Sequence, residues 1–171
     1  MATVYNNRAQ FEGDWAKIFR HRSSDDDFFS SSNSWAEARF TNSNDPMANK
    51  YSILEYLYKF QRNGKFTFKV VYPDYGSGVT NIWSQTSNPV TQTTSHGGVT
   101  DYTPISIERT SSGWGGLEYS GASTFLDGSV ESGNWWWAIG SKNNYDNSNP
   151  NFPGPGGTVE LVELWVKHTN V

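Results

Sequence analysis

The segment TVELVELWVKH, residues 158–168, constrains the fold more than any other. Read as a strand, it puts Val159, Leu161, Glu163 and Trp165 on one face and Val162, Leu164 and Val166 on the other. A strand that is apolar on both faces belongs in the middle of a sheet covered on both sides. Early in the chain, DWAKIFRH (14–21) sets Trp15, Lys17 and Phe19 against Ala16, Ile18 and Arg20. Core strands near both ends predict a closed sandwich in which those ends are neighbours.

The segments between them are short and punctuated by Gly, Pro, Asn and Ser. KFTFKVVYP (65–73), TNIWSQ (80–85), YTPISIERT (102–110), GLEYSG (116–121), STFLDG (123–128) and NWWWAIG (134–140) read as further strands. One stretch, NDPMANKYSILEYLYKFQRNG, reads as a helix. Ser52 and Glu55 have capping-box spacing, and Ile53, Leu54, Leu57, Tyr58 and Phe60 make a stripe of helical period. Gly64 then offers a left-handed stop. The expectation is an all-β fold, an antiparallel β-sandwich of jelly-roll or lectin-like type, with one short α-helix near residues 52–62. No linker and no internal repeat interrupts the chain, so residues 1–171 are expected to form a single domain.

Composition narrows the function. The net charge is −4 and no basic run occurs, which removes the electrostatic footprint of a nucleic-acid binder. No apolar stretch approaches the roughly 20 residues of a membrane-spanning helix. The opening MATVYNNRAQ lacks the charged and apolar regions of a secretory signal. There are no cysteines, which fits the cytoplasm and equally a secreted domain whose core needs no staples. Sixteen asparagines form no N-x-[ST] sequon, which points away from N-glycosylation.

Eight tryptophans among 171 residues are then the feature that needs a purpose. In a strand 134–140, Trp135 and Trp137 share one face while Trp136 takes the other. Trp136 is either packed between layers or an aromatic platform for the apolar face of a sugar ring. The loop that follows, SKNNYDNSNPNFPGPGG, offers Asn143, Asn144, Tyr145, Asp146, Asn147, Ser148 and Asn149. Amides and carboxylates pair with vicinal hydroxyls as donors and acceptors, and Pro150, Pro153 and Pro155 reduce the entropy lost on binding. The same oxygens offer ligands to Ca²⁺, although not at EF-hand spacing. Two other loops share this chemistry. VYPDYGSGVTNIW brings Asp74 and Tyr75 beside a flexible Gly-Ser-Gly, and RTSSGWGGLEYSG holds Trp114 between glycines, as an exposed ligand contact or as a lid over the core. The acidic triplet Asp25–Asp27 reads as a solvated turn.

Signatures of catalysis are missing. No G-x-S-x-G, P-loop, H-E-x-x-H or G-x-G-x-x-G is present, and His21, His96 and His168 share no ligand spacing. Glycoside hydrolysis needs only two carboxylates beside a sugar site, for which Glu118, Asp127, Glu131, Glu160 and Glu163 are available. Glu163 stands out because it places a charge on a mostly apolar face, where a carboxyl holds its proton, as a general acid must, or else lies at an edge or pairs with Lys or Arg.

NIWSQTSNPVT, WGGLEYSG, STFLDGSV, NWWWAIG, the FPGPGG turn and VELWV, with IFRH…FFSS and YSILEYLYKF…GKFTFKVVYP upstream, resemble a module of secreted invertebrate proteins. These are the fibrinogen-related and skeletal organic-matrix proteins of corals and their relatives. The resemblance covers residues 14–168 and implies an extracellular recognition or matrix module without catalysis. Unlike fibrinogen-like domains, this chain has no cysteines, nor a D-x-D calcium loop at the corresponding place, so a β-sandwich is the expected fold. The leading expectation is a lectin-like protein that binds glycans or glycoproteins through Trp114, Trp136, Asp74, Tyr75 and the 143–149 loop. Weak single sites would act through multivalency, by homo-oligomers or by repeated ligands. The alternatives are a structural or adhesive matrix protein working through protein contacts, and a small glycoside hydrolase.

Overall fold

In the computed structural model, described over residues 9–22, 35–121, 124–134, 136–141 and 152–169, the chain is an all-β sandwich of antiparallel sheets. The strands are β1 (Phe11–Glu12), β2 (Trp15–Arg22), β3 (Lys50–Ser52), β4 (Phe66–Tyr72), β5 (Val79–Gln85), β6 (Thr103–Ile107), β7 (Trp114–Tyr119), β8 (Thr124–Ser129), β9 (Ile139–Ser141), β10 (Phe152–Pro153), β11 (Thr158–Val159) and β12 (Leu161–Lys167). The large sheet runs β1-β2-β12-β4-β5-β6, with β3 also paired to β2. A three-stranded sheet β7-β8-β9 and the β10–β11 hairpin complete the fold.

Over Leu161–Lys167 the doubly apolar last strand sits where its pattern demands, while Thr158–Val159 break off at Glu160 and pair with β10. β12 is flanked by β2 and β4, and its register on β2 runs from Lys167 opposite Trp15 to Leu161 opposite Arg22, with a bulge at Leu164/Trp165. The early strand β2 and the last strand β12 are thus joined in mid-sheet. β4 alternates Phe66, Phe68, Val70 and Tyr72 into the core with Thr67, Lys69 and Val71 outside. On that outer face Glu163 meets two buried cations, Lys17 at 2.8 Å and Arg20 at 3.2 Å. Trp165 lies beneath the ammonium groups of Lys17 and Lys69.

The helical stretch departs from expectation in an instructive way. Leu54–Phe60 is a 3-10 helix, and its buried residues are Leu54, Leu57 and Phe60, spaced by three as three residues per turn require. Tyr58, part of the α-helical stripe, is rotated out to solvent. Ser52 belongs to β3, where its hydroxyl donates to Ala38 O and accepts the Leu54 N–H. Among the described residues the α-helix is a single short one, α1 (Trp35–Arg39), which the sequence pattern did not reveal. No helix among the described residues is long and apolar enough to cross a membrane.

A chain of rings ties the two sheets together. Phe68 packs on Trp83 at 5.3 Å, Trp83 on Trp114 at 4.7 Å, Trp114 on Trp137 at 4.7 Å, and Trp137 on Tyr72 at 5.6 Å. The fit depends on Gly128, where a Cβ would lie 2.7 Å from both Trp114 Cε3 and Trp137 Cβ. Strand alternation does not extend through the tryptophan run, because Trp137 has φ +64 and β9 starts only at Ile139. A bulky side chain in that left-handed region is strained. Its neighbours hold it there: Trp137 N–H donates to Gly154 O, Ala138 N–H to Pro153 O, and the Trp137 indole N–H to Ser111 O.

Candidate functional site

Three loops meet at the end of the sandwich that follows β4. The β4–β5 turn carries Asp74 and Tyr75; the segment after β6 carries Arg109, Ser111 and Ser112; the β10–β11 turn carries Pro155, Gly156 and Gly157. The exposed Asp74 binds the Glu160 and Leu161 amides through its two carboxylate oxygens, so it shapes the entry to β12. Tyr75 is half-buried and lies against Gly157, where a Cβ would come within 2.9 Å of its ring. Ser111 Oγ donates to Pro155 O, which fastens the second loop to the third.

Arg109 is the residue at this junction that sequence reasoning missed. Its guanidinium carbon lies 4.9 Å from the Tyr75 ring centroid, and its Nε donates to Ser111 Oγ at 2.8 Å. The Nη donors have no acceptor among the described residues. The backbone beneath is fixed by Asn81, a fully buried residue of β5. Asn81 Oδ1 accepts the Glu108 and Arg109 amides at 3.0 and 3.2 Å, and its Nδ2 donates to Arg109 O at 2.7 Å. An exposed Arg on a rigid mount, stacked on a phenol and short of acceptors, suits an oxygen-rich ligand. No local sequence signal marks it, since Asn81 and Arg109 are 28 residues apart.

The other expected contacts are distributed differently. Trp114 is half-buried between Trp83 and Trp137 and donates its N–H to Tyr102 Oη at 3.0 Å, so it covers the core. Trp136 is also half-buried, its ring packed against the core and its amide on Ser129 Oγ. No described tryptophan is exposed. Asn143, Asn144, Tyr145, Asp146 and Asn149, with the Ca²⁺ reading that rests on the same loop, fall outside the described residues, as do Trp135 and Asp25–Asp27. A half-open cleft of about 350 Å³ lies at the other end of β4 and β5, lined among others by Phe60, Arg62, Lys65, Thr67, Ile105 and Lys167.

Among the five carboxylates considered for hydrolysis, two come together. Glu118 on β7 and Asp127 on β8 are direct cross-strand partners, and both are fully buried. His96, on the β5–β6 connection, places Nδ1 3.3 Å from Glu118 Oε1. Burial pushes the Asp127 carboxyl up to about 8, and the Glu118 charge pushes the same way, against the nearby Ser120 hydroxyl and the hydrogen bond from the Ser129 amide. Neither carboxyl has surface that a sugar ring can touch. Glu163 is an ion-pair partner, Glu160 pairs with Arg22 on the surface, and the exposed Glu131 lies beside Gly98.

No protein-family model, no curated protein and no solved structure matches this chain.

Proposed function

We propose that this protein is a carbohydrate-binding, lectin-like β-sandwich whose ligand meets the loop end formed by residues 73–78, 108–114 and 154–157. The observation that carries this reading is Arg109, whose Nη donors meet no acceptor among the described residues while Asn81, Ser111 and Tyr75 hold it in place. Its neighbours at the rim, Ser111, Ser112, Tyr75 and Asp74, add hydroxyl, phenol and carboxylate groups, and the Ser111 hydroxyl bonds to Pro155 O of the facing loop. A shallow polar rim of this kind binds single sugars weakly, so avidity from oligomers or repeated glycans is part of the proposal. The resemblance to secreted matrix modules fits the same extracellular glycan or glycoprotein partners.

With Trp114 engaged in the core, Tyr75 is the described ring at this rim. The test is a glycan array probed with wild type and with Arg109→Ala and Tyr75→Ala. Binding that both substitutions abolish, at unchanged melting temperature, supports the reading. Binding that survives both places the ligand elsewhere and defeats it.

A further inference from the structure

Toward the end of β7 remote from Trp114, three potential donors converge. One ligand atom each from His96, Glu118 and Asp127 lies within 4.8 Å of the other two. We propose that His96, Glu118 and Asp127 bind one divalent first-row transition cation of the Mn²⁺–Zn²⁺ kind, which ties the 92–98 loop to the β7–β8 hairpin.

The spacing argues for an ion over a shared proton. Two carboxyls that share a proton approach to about 2.5–2.7 Å between oxygens, yet no hydrogen bond joins Glu118 to Asp127. An ion at about 2.0–2.2 Å from each donor needs them at most about 4.4 Å apart, so side-chain shifts of about an ångström close the site.

The second observation is an orphaned oxygen. Asp127 is completely buried, its Oδ1 accepts the Ser129 N–H at 3.1 Å, and its Oδ2 has no hydrogen-bond partner. The hydroxyls of Ser120 and Thr124, both buried in the same hairpin, are also unpartnered. Buried polar atoms are rarely left so. No Lys or Arg among the described residues pairs with either carboxyl.

The arrangement also has the outer support that metal ligands use. Glu118 is aimed by the Gly98 N–H at 2.7 Å on Oε2 and the Glu131 N–H at 2.8 Å on Oε1. Gly98 admits Glu131 where a Cβ would collide, 2.5 Å from Glu131 Oε1. His96 takes φ +53, with its N–H on Tyr119 O at 3.0 Å. One imidazole nitrogen with two carboxylate oxygens suits Zn²⁺ or Mn²⁺, whereas Ca²⁺ takes oxygen ligands alone.

This site is independent of the loop-end reading, and its test uses no glycan. Protein dialysed against EDTA is titrated with ZnCl₂, MnCl₂ and CaCl₂ by calorimetry, and melting is followed in parallel. The expected result is one equivalent of Zn²⁺ or Mn²⁺, with a melting temperature raised by about 5–10 °C at 100 times the dissociation constant. Asp127→Asn, which keeps the shape, and His96→Ala, on a half-buried loop, each weaken binding at least tenfold. If Asp127→Asn does not fold, His96→Ala carries the test. The proposal is overturned if neither transition cation binds saturably, if only Ca²⁺ binds, or if the folded variants bind as wild type does.

Discussion

Removing the Glu163 carboxylate should be among the most damaging single changes outside the apolar core. Glu163 Oε1 accepts from Lys17 Nζ at 2.8 Å and from Arg20 Nε at 3.2 Å, and the two cations have side-chain exposures of only 2% and 8%. Arg20 keeps three other acceptors, Met47 O, Ala48 O and Asn49 Oδ1, and Lys17 keeps the Met47 sulfur at 3.6 Å. None of these carries a charge, and Lys69 adds a third cation over the same Trp165 ring. Breaking a buried pair by deleting one partner costs about 3–5 kcal/mol, because the remaining charge cannot recover its water. In a chain of this length that is a fall in melting temperature of about 6–20 °C. The assay is urea unfolding of wild type, Glu163→Ala, Glu163→Gln and Lys17→Met/Glu163→Gln. Glu163→Ala should lose the most, and the double variant should recover part of the loss of Glu163→Gln. If Glu163→Ala stays within about 0.5 kcal/mol of wild type, the outer face is a solvated surface and the reasoning fails.

Gly128→Ala should destabilise by about 1–3 kcal/mol or more, since its methyl meets two indoles at 2.7 Å; an unchanged urea midpoint would mean the Trp114–Trp137 packing is looser than described. His21 is buried, which holds its imidazole down at about 3, with Lys50 pushing the same way. The unfolded chain therefore takes up a proton near pH 6.5 that the folded protein refuses, so stability is full above that pH and falls as the pH drops toward 3. From pH 7.5 to 4.5 the loss is about 2–3 kcal/mol, and His21→Gln should remove that part of the acid limb; identical acid limbs in both proteins would refute the assignment. Asn81→Ala should cost about 1–3 kcal/mol by leaving the Glu108 and Arg109 amides unpaired. It should also weaken glycan binding more than an equally destabilising change such as Gly128→Ala does.

Much of the architecture was legible because it follows from side-chain parity. The pattern of 158–168 predicted a central strand, and β12 lies between β2 and β4 with the early strand beside it. Parity misled where its premise of extended backbone broke. The run at Trp135–Trp137 contains a left-handed residue, so the strand expected over 134–140 shortens to Ile139–Ser141. The 52–62 segment shows the same limit, since periods of 3.0 and 3.6 diverge only at Tyr58. At the loop end, Asp74 and Tyr75 were legible as polar and aromatic turn residues. Arg109 was not, because its placement depends on a buried Asn in another strand. The His96–Glu118–Asp127 group was hidden for a similar reason. Its members come together through β7–β8 register and through a loop whose course no local pattern encodes.

Amide chemical-shift mapping with saccharides selected on the array tests the function most directly. Shifts confined to residues 74–78, 108–114 and 154–157, and lost in Arg109→Ala, are the predicted result. Shifts centred on Arg62, Lys65 and Lys167, or none with any saccharide, would contradict it.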